Sequence, residues 1–485
     1  MAHQPSHPSH ATAGRATLSR RRLLSRLTGF GMVGLTALTT GCGPSVHIPS
    51  PSDLYQQAIG QARQAAGTTP PPKLLNWFTP IPPPSETLAQ ATSGTPAWNQ
   101  AMGWQRMLDP WKASHPDITL VHHVVDAADL TKQQIAAATS GSPGDVAYTD
   151  TGRTLGDARV LDPLDVGTLS RKIVGVALTP QSSNSQVYAL PIFVSCLGLY
   201  LNHQRLKNAE LDPKTPLRDW ASFETAAQKL TNRSRQLYGF DVFGSGSPLS
   251  GQGHYGPFLW SAGGSFFDAT GRAAMWNQPD GLNAIVYLAR LSQNYAWPGA
   301  AVAPDATLIQ NWLSGRTATL VYGPEISDQA DEHHMEYSVQ SVPPYVLGQA
   351  SSLAVSAGAV GVFSQSRHKD WALEFIHYLA GKDAQVAGLD YLRLMPANTD
   401  AGDAAPIFQK NPIMQQFLQI LREDDIHSFP TAPSHNAEVQ EVFRAYLGIA
   451  LQGLSTPEAA WSKSAALATT LVKTPDPTPT VGATG

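Results

Sequence analysis

The chain has 485 residues, of which 42% are hydrophobic and 14% charged, a balance that suits a folded globular protein and excludes a disordered one. A formal net charge of −4 leaves no basic face for nucleic acid. With 2 cysteines the fold is not a disulfide scaffold, and length alone predicts ~3 domain-sized units or two large lobes.

Residues 1–18 hold His3, His7 and His10 among Ser, Pro and Ala. They precede Ser19-Arg20-Arg21-Arg22-Leu23-Leu24 and an apolar run from Leu27 to Thr40. The run is too short and too rich in Gly and Thr to span a bilayer as a permanent helix. A basic stretch, a short apolar stretch and a small residue before a cleavage point read as a secretory signal. The order around Arg20 and Arg21 resembles a twin-arginine export motif. Leu38-Thr39-Thr40-Gly41-Cys42 resembles a lipobox, with Thr39 where Leu is preferred; this implies cleavage before Cys42 and acylation of its thiol. Residues 1–42 are therefore expected to be a signal peptide. Residues 43–72, rich in Pro, Gln, Ala and Ser, are expected to be a flexible tether. Cys196, inside Phe193-Val194-Ser195-Cys196-Leu197, then reads as a buried structural thiol.

Lys73-Leu74-Leu75-Asn76-Trp77-Phe78 is the first strand, and Pro80 to Pro84 end it. A helix follows around Trp98–Trp111, then a strand from Ile118 to Val125 and a helix over Leu130–Thr139. Asp145 to Asp150 is a third strand ending in a carboxylate. Strand, helix, strand, helix, strand at this spacing argues for an α/β fold with a parallel sheet and crossover helices. Further strands are expected at Phe193–Leu201, Thr317–Tyr322 and Ala359–Phe363. Helices are expected at 219–230 behind an Asp219 N-cap, at 279–291 with Pro279 in the first turn, and at 367–380. Ser455-Thr456-Pro457-Glu458 fits a capping box opening the last helix, and residues 474–485 read as a disordered tail.

No catalytic motif stands out: there is no G-x-S-x-G, no H-E-x-x-H and no phosphate-binding G-x-x-x-x-G-K. Gly251-Gln252-Gly253-His254-Tyr255-Gly256 spells G-x-G-x-x-G, but a loop rather than a strand precedes it, so it reads as a flexible loop leading into the helix of Trp260. His122-His123 lies on a strand, where neighbours face opposite sides, and is not a metal pair. No metal or cofactor is expected.

Several segments, in order, resemble the extracellular solute-binding proteins of ABC importers, the family that includes maltose-binding protein. His115-Pro116-Asp117-Ile118 resembles the family's turn into the second strand, and Ser140-Gly141-Ser142-Pro143-Gly144-Asp145-Val146 its turn into the third. Val160-Leu161-Asp162-Pro163-Leu164-Asp165 and Tyr188-Ala189-Leu190-Pro191 through Leu199-Tyr200-Leu201-Asn202 continue the series. So do Trp260-Ser261-Ala262-Gly263-Gly264, Gly315-Arg316-Thr317-Ala318 and Gly323-Pro324. The resemblance implies a two-lobed periplasmic-binding-protein fold (type II-like), with the ligand between the lobes and several hinge crossings. Lobe one would comprise 73–190 and 323–380; lobe two, 191–322 and 381–473. The implied role is a lipid-anchored, monomeric, non-enzymatic subunit on the outer face of the cell membrane that passes a mono- or oligosaccharide to membrane permease subunits. A carbohydrate-active enzyme, a surface sensor and another small polar ligand stay open as rivals.

Sugars offer apolar faces to aromatic rings and hydroxyls to polar side chains. On that chemistry and the implied topology the candidate ligand contacts are Trp77, Phe78, Asp150, Phe193, Trp260, Tyr322, Glu325 and Arg393. Three of these have a structural reading of similar weight. Trp260 and Phe193 could be core residues, and Asp150 could cap the next helix.

Overall fold

The computed structural model describes residues 73–474 apart from 128, 247–250, 429–431 and 433. The leader with Arg20, Arg21 and Cys42, the tether over 43–72 and residues 475–485 lie outside the described residues. Among the described residues there are thirteen strands: β1 (Lys73–Thr79), β2 (Ile118–Val124), β3 (Val146–Thr149), β4 (Ser182–Ser183), β5 (Gln186–Val187), β6 (Leu190–Cys196), β7 (Gly198–Asn202), β8 (Tyr238–Phe240), β9 (Thr317–Tyr322), β10 (Tyr337–Gln340), β11 (Ser352–Val362), β12 (Met395–Pro396) and β13 (Asp425–Ser428). β4 and β5 form a small hairpin.

The other strands build two sheets. The first runs β12-β6-β11-β3-β1-β2, and β13 joins it through β11. β1 is parallel to both β2 and β3, as crossover helices require. Those helices are α1 (Pro96–Ser114) and α2 (Leu130–Thr139). Thr95 caps α1 by accepting the Trp98 N–H, and the helix buries Ala101, Trp104, Met107, Leu108 and Trp111 on one face. Asp145 ties the sheet at its entry to β3. Its carboxylate accepts the Asn76 N–H at 2.8 Å, the Asn76 side-chain amide at 3.0 Å and the Ser366 hydroxyl at 2.6 Å.

The second sheet has the order β10-β7-β9-β8. Against it pack α3 (Trp220–Leu230) and α5 (Pro279–Tyr295), with α6 (Ser327–Glu332) between β9 and β10; α4 (Gly251–Ser261) lies against α5, against α9 (Asn436–Leu451) and against β11 of the first sheet, and α9 and α10 (Pro457–Lys473) pack on α5. Asp219 caps α3 in a full capping box with Ser222. Thr456, not Ser455, caps α10, its hydroxyl accepting the Ala459 N–H. Residues 251–256 are helical rather than a loop. Gly256 is required there, because a Cβ would meet the Trp260 ring at 2.4 Å.

The chain changes sheet later than the motifs suggest. β6 belongs to the first sheet and β7 to the second, with Leu197 alone between them. β10, expected in lobe one, pairs antiparallel with β7. The return to the first sheet comes only at β11. Helices α7 (Lys369–Ala380) and α8 (Lys382–Leu392) stay with the first sheet, and α8 lies along α1. Gly103 and Gly388 permit that approach: a Cβ on either would come within about 3 Å of the other's carbonyl oxygen (3.0 and 3.1 Å).

A candidate ligand site between the two lobes

Cys196 and Leu197, where the chain passes from the first sheet to the second, are both buried. Cys196, the last residue of β6, is fully buried, and burial pushes its thiol far up, with the charges of Glu325 and Asp424 adding to the rise. Both carboxylates thus act on the point where the chain leaves the first sheet.

Glu325 owes its position to the break after β9. Gly323 and Pro324 turn the chain, and the Glu325 carboxyl folds back over Gly323, where a Cβ would lie 2.1 Å from its Oε2. The Glu325 side chain reaches solvent, yet protein encloses it on most sides and raises its pKa to about 7. It has no ion-pair partner among the described residues. Asp424 behaves similarly: burial lifts it to about 6, although it accepts the Ser341 hydroxyl at 2.7 Å. Its Oδ2 is buried without a partner among the described residues.

Asp150 follows β3, at the end of the parallel strands where loops face outward. It is exposed by area but crowded, and burial raises its pKa. It does not cap the following helix, whose N-cap is Thr151. Tyr148, one turn of the pleat earlier, is pushed up to about 12 by burial and by Asp150. Its hydroxyl lies over Gly358 of β11, where a Cβ would come within 2.2 Å.

Tyr322 is half-buried, its ring 5.5 Å from Phe243 and 6.0 Å from His254. Phe243 and His254 stack at 4.0 Å. Trp260, on α4, is half-buried and stacks nearly parallel on His427 of β13, at 4.3 Å and 8°. Its edge meets Phe266 at 5.5 Å. This contact joins α4 to β13, which pairs with β11, the strand that α4 itself packs against. Phe243, His254, His427 and Asp424 are not singled out by the sequence, because their contacts with Tyr322, Trp260 and Ser341 join segments far apart in the chain.

Three expected contacts are core residues instead. Trp77 is 0% exposed, wedged against Trp104, Phe375 and His122. Phe78 faces the opposite side of β1, stacked on His123 and packed against Phe363. Phe193 is buried under Trp104. The reason is shared: β1 and β6 lie inside a sheet with helices on both faces, so alternate side chains are buried on both sides. His122 and His123 follow the same alternation. His122 hydrogen-bonds the Ile81 carbonyl and His123 the Asn76 side chain, and burial lowers the pKa of both. Arg393 is engaged by protein: its guanidinium pairs with Asp328 at 2.9 Å and Asp331 at 3.4 Å. Among the described residues no group of three His, Cys, Asp or Glu could hold a metal ion.

Solved structures share this architecture. A solute-binding protein of an ABC transporter from Thermotoga lettingae, bound with alpha-D-tagatose, is 20% identical, with 82% of this chain and 100% of that one aligned at a TM-score of 0.64. The GacH receptor of Streptomyces glaucescens, studied unliganded and with acarbose, is 18% identical over 84% of this chain and 100% of its own, at 0.66. The cyclic alpha-maltosyl-1,6-maltose binding protein of Arthrobacter globiformis is 18% identical over 83% and 99%, at 0.68. No curated protein sequence matches the chain. The profile of the family described as bacterial extracellular solute-binding protein matches residues 106–416, well over half of the chain. By that match, and in keeping with the two-lobed fold, the chain belongs to the bacterial extracellular solute-binding proteins.

Proposed function

We propose that the protein is the solute-binding subunit of an ABC importer, that it takes a mono- or oligosaccharide between its lobes, and that it delivers the sugar to membrane permease subunits. The observation that carries this reading is the two-lobed fold, shared along almost the whole folded chain with proteins described with tagatose, acarbose and a cyclic maltosyl-maltose. The chemistry at the junction agrees. Tyr322 and Trp260 offer aromatic faces, and Asp150 and Glu325 offer acceptors for hydroxyls. Lobe one then comprises 73–196 with 352–396, and lobe two 198–340 with 436–473. The leader carries the chain outward through its Arg20-Arg21 motif, and acylation of Cys42 holds it beside the permease.

Ligand that touches both lobes favours the closed form, which the permease reads. A thermal-shift panel of sugars, polyamines, amino acids and anions tests the ligand class. A true ligand at a hundredfold excess over its Kd stabilises by about 2.7 kcal/mol. A rise with one sugar class supports the reading. A rise with polyamines or anions alone overturns the carbohydrate assignment.

A further inference from the structure

Arg393 ends α8 in the left-handed region, at φ 49, a position where helices ordinarily place glycine. The side chain kept there at that cost crosses to the other lobe. Arg393 Nε meets Asp328 Oδ1 at 2.9 Å, and Nη2 meets Asp331 Oδ2 at 3.4 Å. Both carboxylates sit on α6, between β9 and β10 of the second sheet. From α1, the Asn99 amide donates to the other oxygen of Asp328 at 3.3 Å. The side chains of Arg393 and Asp328 are only 18% and 13% exposed. Tyr337 of β10 steadies Asp331 by donating its hydroxyl at 3.0 Å.

The helices that supply the first lobe's two groups are held in register by the Gly103–Gly388 contact. This brings the start of α1 and the end of α8 to one carboxylate. The second lobe's two groups lie on the helix that leaves Tyr322 and Glu325, so any separation of the lobes at α6 must break three polar contacts together.

We propose that Arg393, Asp328, Asp331 and Asn99 form an interlobe latch that holds the closed arrangement before ligand arrives. The latch raises the closed fraction of the free protein, and apparent ligand affinity scales with that fraction. Arg393 is then a positioning residue rather than a sugar contact.

The test uses the full chain without sugar. Spin labels at Lys132→Cys on α2 and Gln310→Cys on the helix Asp305–Leu313 report the lobe separation, both sites being exposed. The latch predicts one short-distance population in this background and a second, longer one after Arg393→Gln. Loss of a partly buried pair should raise the open-to-closed ratio by roughly tenfold or more. The exchange Arg393→Asp with Asp328→Arg should restore the short population. Asp328→Asn serves as the second variant if Arg393→Gln does not fold. Identical distance distributions in the folded variant and its parent overturn the latch. So does a parent that is already fully open. No sugar enters the measurement, so failure of the carbohydrate reading would leave the result intact.

Discussion

Trp77→Ala separates a core tryptophan from a ligand contact. The indole is fully buried, with ring neighbours Trp104 at 5.8 Å, Phe375 at 5.6 Å and His122 at 5.2 Å. Truncating a buried Trp costs about 3–5 kcal/mol through lost transfer energy and the cavity left behind. The indole N–H has no partner among the described residues, so its removal also relieves an orphan donor and pulls the cost toward the lower end. We expect about 3–4 kcal/mol, which for a lobe-sized unit lowers the melting temperature by roughly 10 °C. Calorimetry and urea unfolding measure the loss, and titration at a temperature where the variant is folded measures binding. Affinity should stay within about twofold of wild type, a difference under 1 kcal/mol. A variant with an unchanged melting temperature and abolished binding would refute the placement of Trp77 in the core.

Other consequences are equally open to measurement. Folded Glu325 keeps its proton to about pH 7 against an ordinary 4.5, so its contribution to stability is full below 4.5 and is lost as pH rises through 7. The shift would be worth about 3 kcal/mol in full burial, and access to water leaves on the order of 1 kcal/mol. Glu325→Gln should therefore melt higher than wild type at pH 8 and flatten the profile between pH 5 and 8; equal melting at pH 8 would contradict this. Trp260→Ala should weaken sugar binding about tenfold, or ~1.4 kcal/mol, with a smaller loss of stability than Trp77→Ala; the reverse pattern would make Trp260 a packing residue only. Cys42→Ser should release the protein from the membrane fraction, and a variant that still sediments with membranes would rule out the lipid anchor.

What the sequence makes legible is local. The alternation of strands and helices from Lys73 to Asp150 predicts parallel strands with crossover helices, and β1 is parallel to both β2 and β3. Asp219 ahead of the amphipathic run to Leu230 predicts an N-cap, and the cap forms. The missed features depend on contacts between distant segments. Trp77 and Phe78 look like exposed aromatics at a strand end, because hydrophobic period cannot show that both faces of β1 are covered. Gly323-Pro324 reads as an exit from the second lobe, yet the chain returns through β10 to pair with β7. The glycines at 251, 253 and 256 argue against a helix by propensity. Packing overrides them: the Tyr255 hydroxyl donates to the Gly281 carbonyl at 2.8 Å and accepts the Trp461 N–H at 3.0 Å. Of the expected site residues, Asp150 and Glu325 are exposed and Trp260 and Tyr322 partly so. Their neighbours His254 and His427 come from segments far apart in the chain.

Hydrogen exchange with and without the sugar that most raises the melting temperature tests the central claim most directly. Binding between the lobes predicts slowed exchange at 148–152, 254–261 and 322–327 together, with little change in β1. Protection confined to one lobe, or to helices remote from the junction, would contradict a ligand held between the two.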